Sequence, residues 1–390
     1  MIGALLLGVA LAAPQSAAKP VAKPPAGHAP ATNRPAAASF ETISDAASKA
    51  RDDGRLDEAI TLYRRGIAMR PAWDEGRWYL GSSLYERDRF AEARDAFAGL
   101  IARHPSHAGA VGMKGLCEFG LGQHEAALKT LLRARSLGVK RDTELARVVA
   151  YHAGILLTKF EEFEIGYSVL SELAGDNVES PNVLDALGLN ALRMPILPSA
   201  IPDAKKPMVR LAGRAAFAMG GRRLGDAAKL LDELVASYPH EPNVHYTRGV
   251  LRMTEDPNGA LADFEAEIVI SPKHIPARLQ IVFELVKRGQ AARAKPYAAD
   301  ALRLDPQLFA THLAMGQVLF ETGEFDRATA AYEQGVKLAP GSPQAHFLLA
   351  RAYARAGRAA DAEKERAEFR RLEALRAGVP AEPAAGAPPK

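Results

Sequence analysis

The chain has 390 residues, of which 48% are hydrophobic and 25% charged, a balance typical of a folded protein of two or three ordinary domains. Aromatic residues make up only 7% of the chain, which favours closely packed helices over a sheet rich in β-branched and aromatic residues. The net charge of +4 is small and lies partly in the terminal segments, so it gives little support for nucleic-acid binding.

The chain begins with an apolar stretch, MIGALLLGVALAAPQSAAKP. Ile2 to Ala13 are all small or apolar, and Ser16-Ala17-Ala18 is usable as a cleavage site, so residues 1–18 resemble a secretory signal peptide. No Lys or Arg precedes the apolar run, and the run is shorter than the roughly 20 residues that span a bilayer. We expect export to the periplasm or the medium and no transmembrane span. A wrongly assigned start codon is the competing explanation for the missing charges. The chain is cytoplasmic if the apparent signal does not function.

Residues 19–38 and 378–390 are rich in proline and alanine and have no apolar periodicity. Segments of this composition cannot bury enough apolar surface to fold. We expect a disordered linker and a disordered tail.

From residue 40 onward, small residues recur at intervals of 33 or 34 residues, broken by one interval of 39 and one of 61. They are Ala59, Ala93, Ala127, Gly166, Ala227, Ala260, Ala294, Ala328 and Ala362. Prolines lie twelve residues later in most repeats, at Pro71, Pro105, Pro239, Pro272, Pro306 and Pro340. A fixed period of this length indicates a repeat array.

Each repeat reads as two amphipathic helices joined by a turn that carries a glycine. These glycines are Gly54, Gly122, Gly289, Gly323 and Gly357. Small residues on the facing surfaces should let two backbones approach, while bulky residues such as Tyr63, Phe97, Leu131, Phe264 and Tyr332 fill the space between units. Proline should end each second helix, and Ser180-Pro181 and Ser342-Pro343 should begin new helices. Pro296 is tolerated within its helix only if it lies in the first turn.

The stretch from Met315 to Pro340 shows the complete unit. Its signature positions are held by Gly316, Leu319, Gly323, Phe325, Ala328, Tyr332, Gly335 and Pro340, and they resemble those of the tetratricopeptide repeat family. The resemblance covers residues 40–376 and implies an all-α solenoid, a superhelix of about nine helical hairpins that contact only their neighbours. Residues 40–180 would form a first block of four repeats, and residues 208–376 a second block of five, of which the last is a cap.

The 61-residue interval interrupts this array at residues 181–207, a half-repeat helix followed by a proline-rich loop. The loop includes MPILPSAIPDAKKP, which begins at Met194, and its prolines forbid a second helix. In one interpretation Ile196, Leu197 and Ile201 cover the apolar face that the missing helix would bury. In the other, the loop contacts a partner, with Lys205 and Lys206 at its rim.

Signatures of catalysis and cofactor binding are absent from the sequence, which has no phosphate-binding glycine loop, no nucleophile elbow and no two-histidine metalloprotease motif. Cys117 is the single cysteine, so a multi-cysteine metal site is excluded, and we interpret it as a small buried residue. His245, His312 and His346 occupy equivalent positions in different units. Neighbouring helices about 8 to 10 Å apart cannot bring three such nitrogens to one ion, so we expect packing and no metal.

The resemblance implies that function lies on the concave face, which the first helix of each unit lines. The candidate groove residues are Trp78, Tyr79, Tyr85, Met113, Phe119, Tyr151, Ile155, Met219, Tyr246, Met253, Phe283, Phe320 and Phe347. We expect about half of them to pack against the next unit. The family's lysine and asparagine constellation for a carboxylate is not found at the matching positions, so an apolar peptide or amphipathic helix fits better.

These observations predict a non-enzymatic scaffold that binds a protein or peptide partner, without a cofactor, a metal or nucleic acid. A structural spacer or assembly factor of envelope or secretion machinery, acting through its ends and convex face, is the alternative. A subunit of an enzyme complex is a third.

Overall fold

The computed structural model describes residues 39–139 and 143–376. In this part of the chain there are nineteen α-helices, two short 3-10 turns and no β-strand. The predicted signal peptide, linker and C-terminal tail lie outside the described residues. The helices group into two compact units. Of the described residues, the first comprises 39–139, 143–179 and Pro195–Ala200, and the second comprises Ser180–Met194 and 201–376.

The first unit contains eight helices that pair in chain order as four hairpins. They are α1 (Phe40–Asp52), α2 (Leu56–Met69), α3 (Asp74–Glu86), α4 (Phe90–Arg103), α5 (Ala108–Gly120), α6 (His124–Ser136), α7 (Glu144–Lys159) and α8 (Phe163–Gly175).

The second unit contains eleven helices, of which the last ten pair as five hairpins. They are α9 (Pro181–Ala191), α10 (Lys206–Gly220), α11 (Leu224–Ser237), α12 (Val244–Arg252), α13 (Pro257–Ile270), α14 (Ile275–Lys287), α15 (Ala291–Leu304), α16 (Phe309–Glu321), α17 (Phe325–Leu338), α18 (Pro343–Arg355) and α19 (Ala359–Arg376). The all-α solenoid of helical hairpins is confirmed.

Five of the nine described hairpins have the glycine turn that the sequence predicts for every repeat. All five predicted turn glycines adopt a left-handed backbone, with φ between 70° and 81°. In three other hairpins the same place is held by Asp88, Glu161 and Arg222, with φ of 54°, 64° and 58°. The left-handed conformation closes the helix with a six-residue hydrogen bond, as from the amide of Glu324 to the carbonyl of Leu319 at 2.8 Å.

The repeated small residues make room for a bulky side chain of the same hairpin. A Cβ atom on Gly81 would lie 2.7 Å from the ring of Phe97, and one on Gly316 would lie 2.6 Å from the ring of Tyr332. Both rings are fully buried. Tyr332 also belongs to a core cluster with Ala345 and Leu349 of the next hairpin. Its ring therefore occupies the space that its own hairpin's glycine leaves free and also packs against the following unit, as expected.

Helix ends follow the sequence closely. Each of the six repeated prolines lies two residues beyond the end of a second helix, as Pro340 does after Leu338. The hydroxyl of Ser180 accepts a hydrogen bond from the amide of Val183, and that of Ser342 from the amide of Ala345, so both serines cap new helices as predicted.

Pro296 contradicts its prediction. It is the sixth residue of α15, in the second turn rather than the first. Proline has no amide hydrogen to give to the carbonyl of Ala292, but Ala292 and Pro296 are both exposed, so water can replace the missing donor. The helix tolerates the proline because it lies on the solvent face.

Helix α9 packs on α10, and this is the most extensive contact between any two described helices. Gly188 of α9 and Gly213 of α10 lie at the crossing, where a Cβ atom on either would come within 1.9 Å of a backbone carbonyl oxygen of the other helix. The half-repeat is thus joined to the second unit through direct backbone contact.

Candidate functional site

In the first unit, the predicted groove residues lie on the first helices of their hairpins, and most of them are half-buried. Met113 of α5 and Ile155 of α7 are buried in the core, with 7% and 4% of their surface exposed. These two side chains are held inside the unit and present little surface to a partner.

The aromatic residues of α3 pack within their own hairpin and against neighbouring ones. The ring of Trp78 packs edge-on against Phe97 at 5.5 Å, measured between ring centroids, and stacks on the His107 ring at 5.6 Å. The ring of Tyr79 stacks on Tyr63 at 6.0 Å. Trp78 and Tyr79 therefore help to hold the helices together, and both side chains remain partly exposed to solvent.

The remaining predicted aromatic residues of the first unit, Tyr85, Phe119 and Tyr151, pack against other rings. The ring of Tyr85 packs against Phe90 at 5.4 Å, and burial raises the pKa of its hydroxyl to about 12. Phe119 and Tyr151 both contact the ring of His152, at 4.7 and 5.2 Å. Burial lowers the pKa of His152, so it packs as a neutral ring.

In the second unit, several predicted groove residues also belong to the core. Tyr246 is buried between the rings of Phe264 and His274, at 5.7 and 4.7 Å. Met253 and Phe283 are partly buried against the same core. Met219, near the end of α10, is half-buried.

The most accessible of the predicted groove residues is Phe347 on α18, of which 45% is exposed. The Arg351 guanidinium lies over the rings of Phe320 at 4.9 Å and Phe347 at 5.9 Å. The Arg355 guanidinium lies over Phe325 at 4.5 Å and Phe320 at 5.9 Å. We call the surface formed by Phe320, Phe325, Phe347, Arg351 and Arg355 the aromatic–arginine surface.

Both arginines of this surface are exposed, and neither forms an ion pair with any described residue. The rings hold the guanidinium groups in place, since a cation is attracted to the face of an aromatic ring. The sequence prediction included both Phe320 and Phe347 but missed the arginines. Their i, i+4 spacing on the same helix as Phe347 was the available signal.

The proline-rich loop is neither fully buried nor fully exposed. Ile201 has 6% of its surface exposed, whereas Ile196 and Leu197 are half-buried. The Lys205 ammonium pairs with the Glu241 carboxylate at 2.5 Å, and exposed Lys206 pairs with Asp203 at 2.7 Å. The burial of Ile201 suits a packing role.

The three equivalent histidines bond to helix ends. The Nε2–H groups of His245, His312 and His346 each donate to the carbonyl of the proline six residues earlier, at 3.1, 2.9 and 2.9 Å. Within residues 39–139 and 143–376, no group of three or more His, Cys, Asp or Glu side chains is placed to hold a metal ion. Cys117 is fully buried, and burial raises the pKa of its thiol to about 12, so it is not a reactive nucleophile.

None of the described helices combines the length and the apolar character needed to cross a membrane.

A family model described as "Tetratricopeptide repeat" matches residues 44–102, 80–138 and 313–382. No curated protein matches the chain.

Several solved structures resemble the chain over less than half of its length. MamA from Desulfovibrio magneticus RS-1, from residue 41 to its end, is 19% identical, with 45% of this chain and 99% of that chain covered and a TM-score of 0.40. A double mutant of MamA RS-1 is 18% identical, with 46% and 99% covered and a TM-score of 0.41. YrrB, described as a tetratricopeptide repeat protein with an unusual peptide-binding site, is 18% identical, with 44% and 91% covered and a TM-score of 0.37. With TM-scores this low, no function is carried from them to this chain.

Proposed function

The chain is a tetratricopeptide repeat protein, and we propose that it is a non-enzymatic scaffold that binds a segment of a partner protein on the first helices of its hairpins. The fold implies protein–protein interaction in general. The location of the binding site and the chemistry of the bound segment are part of the proposal.

The aromatic–arginine surface carries this proposal. It combines an exposed phenylalanine with two arginines that have no carboxylate partner among the described residues. Aromatic and arginine side chains dominate the energetics of protein interfaces, because they contribute a large contact area and charge-assisted hydrogen bonds. The other predicted groove residues contribute less free surface, since most of them pack against their own core.

The chemistry of the surface defines the segment that fits it. Phe347 and Phe320 offer an apolar platform, and Arg351 and Arg355 offer guanidinium N–H groups for carboxylates. A helical or extended peptide with apolar side chains beside acidic ones would satisfy both. For the proline-rich loop the packing role is the one proposed, because Ile201 is buried and Lys205 and Lys206 are both ion-paired.

The test is quantitative affinity capture from the native extract with the full chain and two variants. Phe347→Ala combined with Arg351→Ala should reduce the recovery of the specific partner at least tenfold, because both changes remove exposed contact groups. Val269→Ala is the matched control: Val269 lies on α13, a second helix, and 79% of it is exposed. Equal recovery with the double variant and the wild type would contradict the proposal.

The alternative function, a spacer or assembly factor that acts through its ends and convex face, has one observation in its favour. Val269 and Ile165, both on second helices, are among the most exposed large apolar side chains, at 79% and 53%. Loss of the partner with Val269→Ala, and not with the double variant, would support this alternative.

Export is a separate proposal, supported by the apolar run at residues 2–13 and the small residues that follow it. Cell fractionation with N-terminal sequencing tests it. A chain found in the cytoplasm with Met1 intact would contradict export.

A further inference from the structure

We infer that the first unit carries a second peptide-binding site, a cleft between the second helices α4 and α6 that takes a partner segment with an acidic side chain beside small apolar ones. The cleft has a volume of about 500 Å3, and α5 forms its floor. It lies on different helices from the aromatic–arginine surface, so the inference does not depend on the proposed function.

The walls of the cleft are apolar and made by small side chains. Ala98 and Ile101 of α4, Val111 of α5 and Ala126 of α6 line it. Small side chains leave room for side chains of a partner, and burying alkyl groups against them is favourable.

A buried carboxylate lies at the floor of the cleft. Glu118 of α5 has only 5% of its surface exposed. Its Oε1 atom pairs with the ammonium of Lys114, whereas its Oε2 atom is buried and has no hydrogen-bond partner. An unsatisfied buried carboxylate oxygen is costly, and a backbone N–H of a bound peptide is a donor that would satisfy it.

Positive charge surrounds this floor. Lys129, an exposed residue of α6, forms no ion pair with the described residues. Arg133, one turn further along α6, donates from Nη2 to the carbonyl of Pro105 at 2.8 Å and has no carboxylate partner among them either. With Lys114, three cations line the cleft against one carboxylate. Charge complementarity therefore selects an acidic segment over a neutral or basic one.

The test measures the binding of three fluorescein-labelled decapeptides to the full chain by fluorescence anisotropy. The probes contain alanine and valine with aspartate, asparagine or lysine at the same positions. The chain carries Arg351→Ala and Arg355→Ala in every measurement, so that the aromatic–arginine surface does not compete for the acidic probe. We expect the aspartate peptide to bind at least tenfold more tightly than the asparagine peptide, and the lysine peptide not to bind.

Variants locate the binding in the cleft. Lys129→Ala with Arg133→Ala should weaken the aspartate peptide about tenfold or more. Ala126→Trp should abolish binding, since an indole fills the cleft from an exposed position. Lys229→Ala is the control, because Lys229 is also exposed and lies two residues after Ala227 of α11, as Lys129 does after Ala127 of α6. An unchanged melting temperature verifies folding.

Three results would overturn the inference. They are no binding of the aspartate peptide at millimolar concentration, equal binding of the aspartate and asparagine peptides, and aspartate-peptide binding that survives both cleft variants.

Discussion

At the scale of single residues, His274 shows how the second unit fixes the protonation state of a side chain. Its Nδ1 atom accepts a hydrogen bond from the amide of Ala277 at 3.0 Å and caps α14, while Nε2–H donates to the Asn243 side chain at 2.8 Å. Burial and the nearby positive charges of Arg193 and Arg278 lower the pKa of His274 from 6.5 to about 4. The cap exists only with a neutral ring, because a protonated Nδ1 cannot accept.

This geometry predicts an acid-sensitive fold. The folded state has the lower pKa, so the unfolded state binds more protons between pH 6.5 and 4, and stability falls as the pH falls through this window. His274→Asn keeps a capping oxygen and removes the titration. We expect the wild type to lose about 3 kcal/mol more unfolding free energy than the variant between pH 7 and 4, measured by urea denaturation. Parallel pH profiles would contradict this.

At the residue scale, the sequence predicted which residues have structural roles better than it predicted which side chains are exposed to solvent. The burial of Cys117 and the positive φ of Gly54 and Gly323 follow from local patterns. The packing of Trp78 on Phe97 and His107 does not, because it depends on which faces of three helices meet. The arginines of the aromatic–arginine surface were missed although Arg351 and Arg355 follow Phe347 at i, i+4 spacing, because the rings of Phe320 and Phe325 that they contact belong to other helices.

At the scale of helices, the crossing of α9 and α10 is the tightest feature of the second unit. The sequence predicted a half-repeat helix at this point, but it gave no sign of the close backbone contact at Gly188. An ordinary repeat glycine faces a side chain, which can move. Gly188 faces the carbonyl of Val209 and Gly213 faces that of Leu184, which cannot move without shifting a helix.

A methyl group tests this crossing directly. Gly188→Ala should lower the unfolding free energy by roughly 3 kcal/mol, because the new Cβ overlaps a backbone oxygen. Gly225→Ala is the matched control in α11, where no atom lies within 4 Å of the new Cβ, and it should raise stability by about 0.5 to 1 kcal/mol. Thermal and urea unfolding measure both. A neutral Gly188→Ala would mean that the helices separate easily.

The proline within α15 gives a second test at this scale. Pro296→Ala restores an amide hydrogen for the carbonyl of Ala292 and removes the ring from the second turn. The gain is partly offset by the more flexible unfolded chain, so we expect about 1 to 2 kcal/mol of added stability. A decrease in the unfolding free energy would show that the proline ring itself makes favourable contacts.

At the scale of the whole molecule, the period of 33 or 34 residues was sufficient to predict the hairpins. Most of them carry one or more local signals, which are a turn glycine, a proline after the second helix and a small residue opposite a bulky one. The exact division into two compact units could not be predicted from the sequence. Residues 195–200 group with the first unit, while the residues on both sides of them group with the second. The periodic pattern of the repeats does not indicate which unit such a short segment joins.

The scaffold proposal places the principal binding contacts on α16 and α18, toward the end of the array. The aromatic residues of α3, which are also among the predicted groove residues, are less suited to binding because their rings are largely engaged in packing. Binding that depends on Arg351 and Arg355 should also weaken with added salt, because exposed charges are screened.

Binding of the partner on the aromatic–arginine surface is tested by the dissociation constant of the captured partner, measured by calorimetry with the purified full chain. If the partner binds there, Phe347→Ala with Arg351→Ala should weaken binding at least tenfold, while Val269→Ala should leave the dissociation constant unchanged. An unchanged constant for the double variant, with weaker binding by Val269→Ala, would contradict it and assign recognition to the second helices.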